Sequence, residues 1–314
     1  MKTVILMKDL RVIFMGTPDF AVPVLESLIK NTNVIMVVSQ PNKQVGRHKI
    51  LTDTPVAATA KKYNIPIFQP VKIRNDYEEI IKANPDIIIT CAYGQIIPKI
   101  LLDTPRLGCI NVHASLLPYL RGGAPLHHAI IDGYQKTGVT IMYMDEKMDT
   151  GDIISTVEYQ IKSSDTVGDI HDNLMTLAPK LLIETLPSII EGTNNRQKQD
   201  NTIATYAYNV TREDEHLDFT KSGVELERQV RGLNPWPLAN FKLNGEEIKV
   251  LAGYFVKGNS KIKQIEVTKN TLAIGCQDGW YYITELKPSG KKAMPVKAYL
   301  NGVSKDQIIK MQVE

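Results

Sequence analysis

The stretch CINVHASLLPYLRGGAPLHHAI, residues 109–130, begins as an apolar run and continues as a loop rich in proline and glycine. Similar short apolar runs occur on either side of it, at 10–16, 33–39, 65–68, 85–91 and 138–144. Amphipathic stretches lie between these runs, at 20–31, 54–63, 75–83 and 123–132. Hydrophobic strands that alternate with helices are typical of a mostly parallel sheet covered by helices on both faces. An α/β domain is therefore predicted for the first part of the chain.

The composition is that of an ordinary globular protein. The chain has 314 residues, of which 43% are hydrophobic and 23% charged, enough for a sizeable core in two domains. A formal net charge of +3 does not by itself demand an anionic partner. The three cysteines form no CxxC pair, which argues against a disulfide framework or a zinc site. The apolar run after Lys2 is too short for a signal peptide or a membrane span, so we expect a cytoplasmic protein.

The second half of the chain has a different pattern. Apolar residues at helical spacing predict a helix at 166–192 that Pro179 and Pro187 kink or divide, and the polar segment that follows resembles a linker. One further helix and then short strands without helices between them indicate a small antiparallel barrel or sandwich. The predicted domains are 1–192 and 211–314, joined by a linker at 193–210. The second has 16 basic and 13 acidic residues.

Asn111 and His113 lie two positions apart at the end of the quoted apolar run. Alternate residues of a strand point to the same side, and the carboxyl ends of strands in an open α/β sheet usually bind the ligand. An amide donates without changing charge, while an imidazole gains or loses a proton near neutral pH, so the pair suits an oxyanion. The alternative is that Asn111 closes a turn and His113 is a satisfied core residue.

A carboxylate for this site is expected in MDEKMDTGDII, residues 144–154. Asp145, Asp149 and Asp152 surround a tight turn there, directly after another predicted strand. A carboxylate beside His113 would orient the ring and favour its protonated form. Asp149 is the predicted residue because it stands at the turn itself, and the alternative is that it only forms the turn.

Other motifs point to less specific chemistry. FMGTPDF, residues 14–20, lacks the GxGxxG pattern of a dinucleotide site, and its aspartate is expected to cap a helix start. His127 and His128 have no partners at metal-ligand spacing, so no metal site is predicted. The lysines of KPSGKKAM could contact phosphate, although such runs are often solvated loops; they are Lys287, Lys291 and Lys292.

Taken together, six segments resemble the methionyl-tRNA formyltransferases, a family of folate-dependent enzymes. The resemblance runs in chain order from about residue 10 to 300. Its segments are FMGTPDFAVPVL, CAYGQIIPK, LGCINVHASLLPYLRGGAP, TGVTIMYMDEKMDTGD, RGLNPWP and PSGKKAM. Residues 1–9 precede the resembling part, and Met7 is the expected start.

The resemblance implies a Rossmann-like domain that binds 10-formyltetrahydrofolate, followed by an OB-like domain that helps to hold tRNA. It also implies that Asn111, His113 and Asp149 form the catalytic group. The implied folate-lining residues are Ser115, Leu116, Leu117 and Pro118. The loop 40–51 is implied to engage the acceptor end of tRNA, and its basic residues are Lys43, Arg47 and Lys49. Where relatives often carry an arginine, this chain has Tyr119, although Arg121 remains.

The implied reaction is formyl transfer from 10-formyltetrahydrofolate to the α-amino group of methionyl initiator tRNA. The expected protein is a monomer without a membrane partner or a metal. Three alternatives remain: a formyltransferase for a small amine, a formyl-folate hydrolase, and a non-catalytic RNA-binding protein. The small-amine enzyme would not need the second domain, the hydrolase would act without any amine, and the binding protein would tolerate loss of His113.

Overall fold

A computed structural model describes residues 6–46 and 49–314 of the chain. Its strands, in chain order, are β1 (Arg11–Gly16), β2 (Asn33–Val38), β3 (Lys43–Val45), β4 (Ile50–Thr52), β5 (Ile67–Phe68), β6 (Ile87–Cys91), β7 (Cys109–His113), β8 (Lys136–Tyr143), β9 (Ile153–Gln160), β10 (Ala239–Leu243), β11 (Glu246–Lys257), β12 (Ile265–Val267), β13 (Leu272–Cys276), β14 (Gly279–Pro288) and β15 (Met294–Pro295).

The α-helices are α1 (Val22–Asn31), α2 (Pro55–Lys62), α3 (Glu78–Lys82), α4 (Lys99–Leu102), α5 (Pro125–Ile131), α6 (Val167–Glu191), α7 (Gly223–Gly232), α8 (Val296–Asn301) and α9 (Lys305–Ile308). The chain divides into two compact units. The first consists of 1–125, 136–160 and 171–208, and the second of 126–135, 161–170 and 209–314. The predicted boundaries at 192 and 211 stay a prediction.

The first unit contains a seven-stranded sheet with the order β5-β2-β1-β6-β7-β8-β9. The pairs from β5 to β7 are parallel, and β8 and β9 pair in the antiparallel sense. All five residues of β6 are buried, as expected for a strand covered on both faces. The predicted α/β fold with a mostly parallel sheet is therefore confirmed. The alternation had not revealed β9, whose exposed and half-buried residues are typical of an edge strand.

The long helix α6 differs from its prediction. Pro179 and Pro187 were expected to kink or divide it, and the helix is continuous from Val167 to Glu191, so they do not divide it. A proline in a helix interior costs about 3 kcal/mol or more because its nitrogen has no proton to donate. Burying a large aliphatic side chain contributes about 1.5–3 kcal/mol. The large aliphatic side chains of α6 that are fully buried together offset that cost: Val167, Ile170, Leu174, Leu182 and Leu186.

The second unit contains an antiparallel sheet with the order β10-β11-β14-β13-β12, in which β15 also pairs with β14. Its core includes the aromatic pair Phe219 and Phe241, whose rings meet edge to face with centroids 5.7 Å apart. Helix α7 begins with a capping box between Ser222 and Glu225. This sheet confirms the small antiparallel β domain that was predicted after the α/β domain. In the described part of the chain, no helix combines the length and the apolarity needed to cross a membrane.

Candidate active site

Strand β7 carries the two residues of the N-x-H pattern. It lies between β6 and β8, and its apolar residues Cys109, Ile110 and Val112 are buried. Because side chains alternate along a strand, Asn111 and His113 project to the same face. His113 is the last residue of β7, so the pair stands at the carboxyl end of a central strand, where α/β proteins usually bind ligands.

His113 is almost completely buried, with 6% of its surface exposed. Its Nε2 lies 3.0 Å from the backbone oxygen of Leu120. A carbonyl oxygen can only accept a hydrogen bond, so Nε2 carries a proton and donates it there. The other ring nitrogen, Nδ1, lies 3.8 Å from Oδ1 of Asp149.

Asp149 joins both residues of β7. Its Oδ1 lies 3.5 Å from Nδ2 of Asn111, and its Oδ2 accepts a hydrogen bond of 2.8 Å from the backbone nitrogen of Gly122. The other two candidate carboxylates have different partners, because Asp145 accepts from Thr150 and Asp152 pairs with Arg196. Among the three aspartates of this segment, Asp149 is thus the one that the structure brings to Asn111 and His113.

Thr90, the fourth residue of β6, fixes the orientation of the Asn111 amide. The two residues are paired in register, and Oγ1 of Thr90 donates a 2.8 Å hydrogen bond to Oδ1 of Asn111. With its oxygen held, the amide directs its donor Nδ2 toward Asp149. Sequence reasoning missed Thr90. The available signal was a hydroxyl within the otherwise apolar run IIITC, residues 87–91, in the strand before β7.

The loop after β7 is held by a hydrogen bond within the loop and by two hydrogen bonds to β8. Ser115 is buried and donates from Oγ to the backbone oxygen of Tyr119 at 2.7 Å. Thr140 donates to the backbone oxygen of Ser115 and accepts from the nitrogen of Leu117. The side chain of Leu117 packs against Met142 and Ile153. Of the residues that were expected to line a folate site, Leu116 and Pro118 are half-buried and the other two are buried.

Further along, this loop contacts a distant segment of the chain. Arg121 exchanges backbone hydrogen bonds with Thr205 and Ala207, of 2.9 and 2.7 Å. The guanidinium of Arg121, which is 1% exposed, donates to Oε1 of Gln199 and to Oδ1 of Asn201. Gln199 in turn donates from Nε2 to the backbone oxygens of Asp149 and Gly151, at 2.9 and 2.8 Å. Sequence reasoning missed Gln199, because it lies in the polar segment that resembled a linker.

The basic residues that were expected to contact tRNA lie on the surface where they are described. Lys43 is exposed on β3, and Lys49 is exposed just before β4 with a φ of 48°. Arg47 lies outside the described residues. The exposed lysines near the end of β14 are Lys287, Lys291 and Lys292. Within 6–46 and 49–314, none of these five lysines forms an ion pair with a carboxylate.

The remaining motif residues have local partners. Asp19 is the first residue of a short helical turn and accepts a hydrogen bond from the backbone nitrogen of Phe20. The residue at the cap position is Pro18, so the expectation that Asp19 caps a helix start is wrong. His127 bonds to the backbone oxygen of Gly232, and burial lowers its pKa. His128 pairs with Asp132, which directly follows the same helix. Among the residues that the structure describes, no group of three or more His, Cys, Asp or Glu side chains could hold a metal ion.

Comparison with known families assigns a class to this fold and site. Residues 10–186 match the family model described as formyl transferase. Residues 209–304 match the one described as formyl transferase, C-terminal domain. Asn111, His113 and Asp149 lie within the residues that match the formyl transferase family, and the protein is an enzyme of that class.

Relatives of known name identify the kind of formyltransferase to which the chain is similar. The chain is 48% identical to the methionyl-tRNA formyltransferase of Bacillus velezensis, over 93% of this chain and 94% of that protein. It is 46% identical to the methionyl-tRNA formyltransferase of Staphylococcus epidermidis, over 96% and 99%. The chain belongs to the methionyl-tRNA formyltransferase family.

Solved structures share the fold at lower identity. One is the N-formyltransferase of Helicobacter canadensis in complex with folinic acid and dTDP-3-aminofucose, at 20% identity and a TM-score of 0.66. That match covers 87% of this chain and 98% of the solved chain. At this identity the likeness establishes the fold alone.

Proposed function

We propose that this protein transfers the formyl group of 10-formyltetrahydrofolate to the α-amino group of methionyl initiator tRNA, giving N-formylmethionyl-tRNA for translation initiation. Relatives that carry this name are similar along nearly the whole chain. The observation that carries the proposal is the meeting of three side chains: Oδ1 of Asp149 lies 3.5 Å from the Asn111 amide and 3.8 Å from the His113 ring. Acyl transfer needs such donors beside a developing oxyanion and a group that takes a proton.

Each of the three residues has a role in this reaction. When the α-amine attacks the formyl carbon, a C–N bond forms and the formyl oxygen becomes negatively charged. Asn111 donates from Nδ2 and protonated His113 donates from Nδ1, so both stabilise that oxygen. Asp149 holds the imidazolium and helps to carry away the proton that the amine loses. The bond from the formyl carbon to N10 of folate then breaks, and N10 takes up a proton.

We assign folate binding to the loop Ser115, Leu116, Leu117 and Pro118. This loop follows the strand that carries His113, and the hydrogen bonds of Ser115 and Thr140 fix its backbone. A loop that is held in one conformation binds a ligand without first losing chain entropy. The half-buried Leu116 and Pro118 supply apolar surface, which suits the aromatic ring system of a folate.

We assign tRNA binding to the basic side chains Lys43, Arg47 and Lys49 of the loop 40–51, together with Lys287, Lys291 and Lys292. Exposed lysines without a carboxylate partner are available to phosphate groups. We also propose that the protein works as a monomer in the cytoplasm. One chain supplies the amide, the ring and the carboxylate, so the proposed reaction requires no second copy.

A transfer assay tests the proposed function. Purified protein is mixed with labelled formyl-folate and with initiator methionyl-tRNA, elongator methionyl-tRNA or a dTDP-linked amino sugar. Label on the initiator tRNA alone is the expected result. Label on the amino sugar would instead identify a small-amine formyltransferase, and release of formate without any amine would identify a hydrolase.

Binding to tRNA is expected to weaken as salt is added. Each phosphate that a lysine or arginine neutralises contributes about −0.7 to −0.9 to the slope of log affinity against log salt. Replacing both Lys291 and Lys292 by alanine should therefore make the slope less steep by about 1.4–1.8. Lys136→Ala is the control, because that ammonium already pairs with Glu158 at 2.6 Å. An affinity that does not change with salt would contradict the assignment.

Thr90→Val is expected to lower the rate of formyl transfer by about 2- to 12-fold, the equivalent of one hydrogen bond of about 0.5–1.5 kcal/mol. Valine has the shape of threonine but cannot donate to Oδ1 of Asn111, so the amide loses its fixed orientation. Single-turnover rates measure the effect, and Thr90→Ser, which retains the hydroxyl, serves as the control. Equal rates for the two variants would show that the hydroxyl does not orient the amide.

A further inference from the structure

Gln199 uses every hydrogen-bonding atom of its side chain. Its Oε1 accepts from Nε and Nη2 of Arg121, at 3.1 and 2.8 Å. Its Nε2 donates to the backbone oxygens of Asp149 and Gly151, at 2.9 and 2.8 Å. We call these four residues the Gln199 network. It connects the segment before residue 208 to the turn that carries the proposed catalytic carboxylate.

The partners of Gln199 permit one orientation of its amide. A guanidinium only donates hydrogen bonds and a backbone carbonyl only accepts them. Turning the amide over would place Nε2 against Arg121 and Oε1 against two carbonyl oxygens, and every contact would become repulsive. A glutamate could satisfy Arg121 but would direct an oxygen at both carbonyls. The network is therefore specific for glutamine at this position.

Asp149 needs such support because of its backbone conformation. Its φ is 54°, in the left-handed region that few residues other than glycine adopt. Surrounding contacts must hold a residue there, since an unrestrained chain would leave this conformation. Gln199 holds the backbone oxygen of Asp149, and the backbone nitrogen of Gly122 holds its Oδ2. Both contacts depend on the position of Arg121. Its guanidinium holds Gln199, and Gly122, which holds the Asp149 carboxylate, is the next residue in the chain.

The same turn is fixed on its other side by Gly151. A Cβ built on Gly151 would lie 2.0 Å from the backbone oxygen of Tyr143, so the turn approaches the end of β8 as closely as a glycine allows. The turn 149–151 is thus confined between β8 and Gln199. Small movements of the Asp149 carboxylate are resisted at its backbone as well as at its side chain.

The guanidinium of Arg121 is buried and charged, so it needs the hydrogen bonds that Gln199 accepts. Removing a guanidinium from water is costly unless its donors are satisfied. Among the described residues no carboxylate forms an ion pair with Arg121, and its guanidinium donates to the amide oxygens of Gln199 and Asn201. Gln199 accepts two of those donors. Removing the Gln199 side chain would leave two donors of Arg121 without an acceptor and would also remove the hydrogen bonds that hold the turn of Asp149.

We propose that Gln199 is a positioning residue for formyl transfer, which acts by holding Asp149 beside His113 and by satisfying the buried Arg121. The inference rests on the proposed function, because it assigns Asp149 a part in the reaction. Gln199 itself contacts no reacting atom. The polar segment around it is accordingly part of the catalytic unit.

A double-mutant cycle tests this role through kcat. Gln199→Ala is expected to lower kcat by about tenfold, since several hydrogen bonds to the turn are lost, while KM for the formyl donor stays within about twofold. In an Asp149→Asn background the same change should have little further effect, because a residue that acts through Asp149 cannot act once the carboxylate is gone. Gln197→Ala is the matched control, since Gln197 is exposed and bonds to Ile153 through its backbone alone. It should retain the activity of the parent enzyme.

Gln199→Glu separates the two roles of Gln199, which are to hold the turn of Asp149 and to satisfy the guanidinium of Arg121. This variant keeps an acceptor for Arg121 and loses the donor to Asp149 and Gly151. We expect it to be as impaired as Gln199→Ala. Full activity of Gln199→Glu, or losses in the double mutant that simply multiply, would overturn the inference. If Asp149→Asn alone leaves kcat unchanged, the catalytic role of Asp149 fails as well, so this single variant distinguishes failure of the proposed function from failure of the inference.

Discussion

Asn111→Ala is expected to lower the rate of formyl transfer by about 10²- to 10³-fold, the usual cost of removing one hydrogen-bond donor from an oxyanion site. In the proposed reaction the Nδ2 of Asn111 is such a donor, and the hydroxyl of Thr90 keeps it turned toward Asp149. A donor fixed in place before the reaction stabilises charge without the reorganisation that water requires. Alanine offers no replacement for it.

Single-turnover rates with saturating donor and tRNA measure this effect on the chemical step. Because Asn111 is only half-buried, the variant should fold, and thermal unfolding checks this directly. Binding of a formyl-folate analogue should change little, since the amide acts on the oxygen as charge develops there. A variant that folds and reacts at the parent rate would remove Asn111 from the mechanism.

His113→Gln is expected to lower the rate by about 10²- to 10⁴-fold, the range typical of a lost general acid or base. Glutamine is chosen because its Nε2 can still donate to the backbone oxygen of Leu120, as the imidazole Nε2 does at 3.0 Å. The loop therefore keeps its contact, while the ring nitrogen Nδ1, to which we assign the proton transfer, is absent. The loss can then be assigned to chemistry.

His113→Ala provides the comparison for that variant. Alanine leaves the buried oxygen of Leu120 without its partner, at a cost of about 1–3 kcal/mol. His113→Ala should be less stable than His113→Gln by about that amount, with a similar rate of formyl transfer. If His113→Gln instead retained a rate within about tenfold of the parent, proton transfer by the ring would be excluded as a major contribution.

The site residues that could be predicted from the sequence are those that lie on a single strand or in the turn directly after a strand. Asn111 and His113 could be found because both lie on one strand, where a spacing of two places side chains on the same face. Asp149 could be found because a turn directly follows another predicted strand. Each of these predictions needed only local periodicity and the general position of ligands in α/β sheets. Their catalytic roles stay predictions until the variants are measured.

Thr90, Arg121 and Gln199 could not be assigned in the same way. Thr90 acts through registration of β6 against β7, which a single sequence does not reveal. Gln199 and Arg121 meet across a long separation in the chain. The segment around Gln199 resembled a linker because composition cannot distinguish polar groups that pair with each other from polar groups that face water. Similarly, the prolines of α6 suggested a break that the burial of its apolar face outweighs.

The backbone bonds of Arg121 to Thr205 and Ala207 affect the order in which the enzyme can mature during synthesis. A nascent chain that has emerged only as far as residue 192 already contains Asn111, His113 and Asp149. It still lacks Gln199 and the residues that pair with Arg121. Because a domain generally folds as a unit, the turn of Asp149 is expected to be secured only when the chain has emerged to about residue 208, the end of the first compact unit. A chain that ends at residue 192 is therefore expected to lack competence for the proposed catalysis, although it contains all three proposed catalytic residues.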